Sequence, residues 1–265
     1  MTIVDALILG LVQGFTEFLP ISSSGHLVLA RHFLGGVRET GILFEILLHL
    51  GTLMAVFVYF RRELSSLVLS LTSLGAMSDD DRSSGRKTVI AVIAGTMPTV
   101  VIALLFKDKF ESLFESVTAV SLMLLVTGLL LFLSDMMKDR KRSNITIKDA
   151  LIIGTVQGFA IIPGISRSGS TIAAGIFRGV KGEGAATYSF LLSIPAILGA
   201  VVLHAKDLNA LPSGSLAPYM VGVAASAISG FLGITVLMKI VSGRKLKFFA
   251  FYCWVVGISS LIYNY

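Results

Sequence analysis

The sequence predicts an all-α membrane protein: about six transmembrane helices plus two re-entrant helical hairpins, arranged as an inverted-topology internal repeat. Three observations lead there. Of 265 residues, 54% are hydrophobic and only 14% charged, against about 25% charge in a soluble domain, and the mean hydropathy is +0.85. Apolar runs fill the chain, six of them unbroken and two interrupted at mid-length. A stretch near the start recurs in the middle. The expected organisation is a single membrane domain, 1–265, with repeat one over about 1–140 and repeat two over about 145–265.

The broken segments are 3–34 and 147–177. The first is interrupted by Leu19-Pro20-Ile21-Ser22-Ser23-Ser24-Gly25, the second by Pro163-Gly164-Ile165-Ser166-Arg167-Ser168-Gly169. Proline and glycine break helices, and loose backbone at membrane depth survives only when buried in protein or lining a wet cavity. Each segment therefore reads as two half-helices that enter and leave on one side. The six spans follow as 42–60, 88–106, 117–136, 185–204, 217–240 and 248–263, each near the roughly 20 apolar residues a bilayer requires.

Basic residues test this reading. With six crossings and two returning hairpins, one face collects Arg61, Arg62, Arg82, Arg86, Lys87, Lys138, Arg140, Lys141, Arg142, Lys148, Arg178, Lys181, Lys239, Arg244, Lys245 and Lys247. The other holds Arg31, Arg38, Lys107, Lys109 and Lys206, and Arg167 remains inside the second hairpin. Such asymmetry marks the richer face as cytoplasmic, with both termini outside. It also explains the net charge of +6 without a nucleic-acid partner. The N-terminus lacks the basic start of a signal peptide. The single cysteine, Cys253, excludes an internal disulfide. No span carries the charge pattern of a channel ring. The Asp79-Asp80-Asp81-Arg82 run reads as a solvated loop.

Segments 5–36 and 149–180 align at an offset of 144 without a gap, and 16 of 32 positions are identical. Three spans lie between them, so the second copy enters from the opposite side. Inverted repeats set their site near the midplane, where broken helices from the two halves meet. Shared residues are expected to shape the hairpins. The differing ones are expected to carry chemistry: Glu17 stands opposite Ile161, Ser23 opposite Arg167, and His26 opposite Ser170.

Gln13 and Glu17, four apart, share a helix face. An ionisable group at that depth is costly and points to function; the plainer reading is a carboxylate bonded to hairpin backbone. Gln157 repeats Gln13, so part of that residue's work is structural. Ser23 and His26 lie three apart at the turn, the minimum for an activated oxygen nucleophile. In the second copy, Ser166, Ser168, Gly169, Ser170 and Thr171 open a half-helix whose amides and dipole, with Arg167, suit an anion. The plainer reading pairs Arg167 with Glu17 as a buried bridge. Glu45 and His49, also four apart, read equally as a packing pair or as direct participants.

Two signatures, Gln13-x-x-x-Glu17 followed by Pro20-Ile21-Ser22-Ser23-Ser24-Gly25-His26, and Pro163-Gly164-Ile165-Ser166-Arg167-Ser168-Gly169-Ser170-Thr171, resemble the undecaprenyl-diphosphate phosphatase family of the bacitracin-resistance type. The resemblance covers nearly the whole chain. It implies a multi-pass plasma-membrane hydrolase that removes the terminal phosphate of a C55 polyprenyl diphosphate, with its site opening on the outer face. The implied partners are the lipid and the membrane, and a homodimer is left open. The implied catalytic residues are Glu17, Ser23, His26 and Arg167. Substrate contacts are expected from Gln13, Ser22, Ser24, Ser166, Ser168, Gly169, Ser170 and Thr171. A divalent cation (Mg²⁺ or Ca²⁺) is implied, with Glu17 as its ligand. Where the family often has a glutamate, this chain has Gln13, which leaves Glu17 as the main ligand candidate. Either Ser23 or His26 serves as nucleophile. The rival class is a polyprenyl-phosphate flippase resembling a secondary transporter, the architecture inverted repeats commonly build.

Overall fold

A computed structural model of the chain describes residues 1–34, 42–72, 78–137, 142–203, 216–243 and 245–264. Of the loop residues counted above, Arg38, Lys138, Arg140, Lys141, Lys206 and Arg244 lie outside the described residues, as do the ends of the first repeat copy and of the fourth span. The described residues form helices α1 (Ile3–Phe18), α2 (Ser23–Leu34), α3 (Ile42–Tyr59), α4 (Arg61–Leu71), α5 (Asp79–Leu105) and α6 (Lys107–Leu113). They continue as α7 (Val117–Asp135), α8 (Ile147–Phe159), α9 (Arg167–Phe177), α10 (Gly182–Leu203), α11 (Leu216–Ser242) and α12 (Lys247–Tyr263). Among them no strand is present, only an isolated bridge between Arg142 and Val180.

Among the described residues, four helices, α5, α7, α10 and α11, are long and apolar enough to cross a membrane. The pair α3–α4, bent by 76°, makes five if counted as one span. The protein is thus a multi-pass helical membrane protein. The last expected span coincides with α12, which at 17 residues falls short of the usual length.

The acidic run expected as loop is instead the first turn of α5. Ser78 caps it through Asp81 N–H, and Asp79, Asp80 and Asp81 sit at the positive end of the helix dipole. Helix-start chemistry outweighs the polarity that suggested a loop.

Both broken segments are helix–turn–helix units, α1–α2 and α8–α9, interrupted at 19–22 and 160–166. Each packs against a helix from the other half of the chain: α1 along α11, and α8 along α5. Glycine permits both crossings. A Cβ on Gly14 would sit 2.5 Å from the Ser226 carbonyl oxygen, and one on Gly154 would sit 2.6 Å from the Gly95 carbonyl carbon. Without water to drive burial, close backbone approach and dispersion hold membrane helices together. Phe18, Phe60 and Phe190 fill the interior between them, with ring centroids 5.4 to 5.5 Å apart. The two turns meet: a Cβ on Gly25 would lie 3.0 Å from Gly164 Cα, and one on Gly169 would lie 3.1 Å from Pro20 Cβ.

Candidate active site

Both turns are built by the same serine. Ser22 Oγ accepts from Gly25 N–H (3.2 Å), and the Ser22 carbonyl accepts from His26 N–H (3.1 Å). Ser166 Oγ accepts from Gly169 N–H (3.1 Å), and its carbonyl from Ser170 N–H (2.9 Å). The next serine hydroxyl stands alongside in each case, Ser24 at 3.4 Å and Ser168 at 3.3 Å. These are serine N-caps satisfying the orphan amides of a helix start. Gly169 and Ser170 N–H, expected to face an anion, are therefore already engaged within the turn. The turns differ in strain: Ser22 has φ 71°, the left-handed region a non-glycine residue rarely occupies, while Ser166 has φ −73°.

Glu17, 7% exposed, gathers four elements on one carboxylate. Oε1 accepts from Arg167 Nη2 of α9 at 2.7 Å. Oε2 accepts from Ser23 Oγ of α2 at 2.6 Å and from Gln13 Nε2 of α1 at 3.0 Å. His49 Nε2 of α3 stands 3.6 Å from the same oxygen. Arg167 also reaches the Ser189 carbonyl at 3.5 Å, and Thr171 Oγ1 meets Ser189 Oγ at 2.6 Å while donating to the Arg167 carbonyl at 2.8 Å. The base of α9 is thus tied to α10.

Of the residues singled out in the sequence, the structure brings together Gln13, Glu17, Ser23 and Arg167. It does not pair Ser23 with His26. The His26 ring donates from Nδ1 to the Ser22 carbonyl (2.8 Å), and its Nε2 meets the Tyr252 hydroxyl (2.8 Å) with the rings stacked 5.6 Å apart. This ring lies on the wall of an apolar groove with Phe15 and Phe249. Ser168 reaches the Leu19 carbonyl at 3.5 Å, so it joins one turn to the other. Ser170 Oγ is buried without a hydrogen-bond partner.

Sequence reasoning left His49 undecided and missed Ser189 and Tyr252. His49 does not join the Glu45 carboxylate, which pairs with Arg31. Ser189 and Ser193, four apart within an apolar span, were the available signal for a polar helix face. Nothing in the sequence distinguishes Tyr252 from its aromatic neighbours.

The fold and this cluster define a multi-pass membrane protein with a buried acid–hydroxyl–guanidinium site where two broken helices meet. Comparison with known proteins makes the class specific. Residues 6–259 match the model of the family described as "Bacitracin resistance protein BacA", and the chain belongs to that family. It is 44% identical over 259 residues to an undecaprenyl-diphosphatase of Syntrophotalea carbinolica, covering 97% of each chain. It is 43% identical over 264 residues to one of Carboxydothermus hydrogenoformans (97% of this chain, 96% of the relative). A third, from Methanosphaera stadtmanae, is 42% identical over 273 residues (99% and 98%).

Proposed function

We propose that the chain is an undecaprenyl-diphosphate phosphatase. It removes the terminal phosphate of a C55 polyprenyl diphosphate and returns the monophosphate carrier to wall-polymer synthesis, which confers resistance to bacitracin. Family membership and the names of the relatives support the substrate. The observation that carries the chemistry is the 2.6 Å hydrogen bond from Ser23 Oγ to Glu17 Oε2, on a carboxylate whose other oxygen Arg167 holds.

The arrangement that goes with this reading has six crossings and two returning hairpins related by inversion. Both termini and the mouth of the site face outward. The sorting of sixteen basic residues against five supports it, as does the packing of each hairpin on a helix of the other half. The diphosphate enters between the hairpins and leaves its prenyl tail in lipid.

Ser23 Oγ attacks the terminal phosphorus as Glu17 takes its proton. The new O–P bond replaces the anhydride P–O bond, and Glu17 passes the proton to the lipid monophosphate as it leaves. Water then attacks the serine phosphate, giving its proton to Glu17; the Ser23 Oγ–P bond breaks, Glu17 returns the proton to Ser23 Oγ, and inorganic phosphate departs. The planar fork of Arg167 turns from Glu17 to the phosphate oxygens and offsets the charge growing there. His26, through its bond to the Ser22 carbonyl, holds the turn that presents Ser23; its alternative role as nucleophile requires the ring to leave Tyr252.

A divalent cation fits this donor set. Gln13 Oε1 is buried without a partner, and with Glu17 it offers two hard oxygens on one helix face. Among the described residues no three His, Cys, Asp or Glu side chains converge, and Mg²⁺ commonly takes one or two protein oxygens and completes its shell with phosphate and water. Gln13 and Glu17 would hold it, and when bound it would neutralise phosphate charge.

The asymmetry of the two turns weighs against a pure lipid carrier, which needs no serine–carboxylate pair on one tip alone. The test is phosphate release from a prenyl diphosphate by the purified chain in detergent with Mg²⁺ or Ca²⁺. Release that vanishes in Ser23→Ala is expected. No release by the wild type, with lipid movement intact in vesicles, would favour the carrier.

A further inference from the structure

We infer that His49 is a positioning residue for this reaction: it braces the Glu17 carboxylate from α3 so that Oε2 stays aimed at Ser23. The inference rests on the phosphatase reading above. Glu17 Oε1 has a strong partner in Arg167, whereas Oε2 is met by Gln13, Ser23 and His49. Ser23 is the group that Oε2 must serve, so it cannot also be the brace. Gln13 lies on the same helix as Glu17 and moves with it. Once Arg167 turns to phosphate, His49 is the remaining partner that fixes the carboxylate from a separate element.

The ring is held for that task. A carbonyl only accepts, so the 2.8 Å contact with the Glu45 carbonyl means that Nδ1 carries the proton. That bond sets the ring plane and turns Nε2 toward Glu17, 3.6 Å from Oε2. The turn beneath it is pinned on both sides. Thr52 Oγ1 donates to the His49 carbonyl at 2.8 Å, and Ser226 Oγ of α11 donates to the Leu48 carbonyl at 2.8 Å. A Cβ on Gly51 would lie 2.6 Å from the Val223 carbonyl oxygen, so α3 sits tight on α11. Because α11 also packs along α1, His49 and Glu17 ride on helices braced by a common third.

The test compares kcat and KM for phosphate release from a prenyl diphosphate in wild type, His49→Ala and His49→Gln. Losing the brace should lower kcat about 10- to 100-fold, the scale of a misplaced catalytic group, with KM within about 2-fold. His49→Gln, whose amide keeps an N–H at similar reach, should recover most of the rate. Should His49→Ala not fold, His49→Leu takes its place with the same expected split. Wild-type kcat in the alanine or leucine variant overturns the inference. So does a loss confined to KM, which would make His49 a substrate-binding residue, and so does a glutamine variant no better than alanine. The two readings fail separately: no release by the wild type sinks the phosphatase, whereas release by the wild type with an equal rate in His49→Ala sinks only the brace.

Discussion

The two hairpins were cut from one pattern and then divided in labour. Each begins with a threonine–aspartate capping box: Thr2 with Asp5, and Thr146 with Asp149. Each turns on a serine N-cap with a second serine hydroxyl beside it, Ser22 with Ser24 and Ser166 with Ser168. Each ends its first half-helix near a glutamine whose carbonyl oxygen lacks a partner, Gln13 and Gln157. What differs is where the charge sits. In the first hairpin the acid is at the tip, where Glu17 meets Ser23 and Arg167. In the second the acid is at the base, where buried Asp149 joins Arg142 and Arg178, while Asp5, its counterpart, pairs with Thr2 at an exposed end. The second hairpin has its own anchor and lends its tip arginine across to the first. Most duplicated residues build the frame; of the side chains that meet at the tip, Glu17, Ser23 and Arg167 diverged and Gln13 is shared.

The comparison breaks most visibly at Ser23. Ser23→Ala should reduce phosphate release about 10³-fold or more, because removing a nucleophile forfeits most of what its unit contributes. The corresponding change to the frame, Ser24→Ala, should cost less than about 10-fold; equal losses in a release assay would abolish the distinction between frame and site. Arg167→Lys comes next, at about 10²-fold in kcat, since a point charge lacks the planar fork that serves carboxylate and phosphate in turn. Steady-state kinetics showing wild-type turnover in that variant would remove Arg167 from the chemistry.

How much of this was legible in the sequence follows the same division. Helical class and the two breaks follow from composition, proline and glycine, all local properties. The meeting of Glu17 with Arg167 is legible in the sequence as the plainer reading of those two residues, a buried bridge between the turns of the repeated segments. Ser23 and His26 read as partners from spacing alone, but the ring is captured by the carbonyl four residues back and by Tyr252 on a distant helix. Likewise, spacing suggested Glu45 with His49. Tertiary packing instead gave Glu45 to Arg31 and turned His49 to Glu17. Local periodicity reports which side chains share a face, not which partner on another helix outcompetes the neighbour.

Smaller effects sharpen the comparison in stability. Asp149→Ala leaves Arg142 and Arg178 without their shared carboxylate and should destabilise the protein by roughly 3 kcal/mol, on the scale of a broken buried pair. Asp5→Ala removes only an exposed cap and should cost about 1 kcal/mol. Thermal unfolding in detergent measures both; equal shifts would show that the second hairpin has no separate anchor. At the turns, Ser22→Gly relieves a positive φ while losing a cap, so the change should be a few tenths of a kcal/mol. Ser166→Gly gains no such relief and should be the more costly of the two by the same assay.

If the diverged tip residues perform the phosphoryl transfer, with Ser23 as the attacking atom, turnover passes through a phosphoserine. Rapid quenching during turnover of a prenyl diphosphate labelled in its terminal phosphate, followed by mapping of the label on the chain, tests it most directly. The prediction is a phosphoserine at Ser23 that is absent from Glu17→Gln. Label on His26, or full turnover with no labelled protein at any time point, would contradict it.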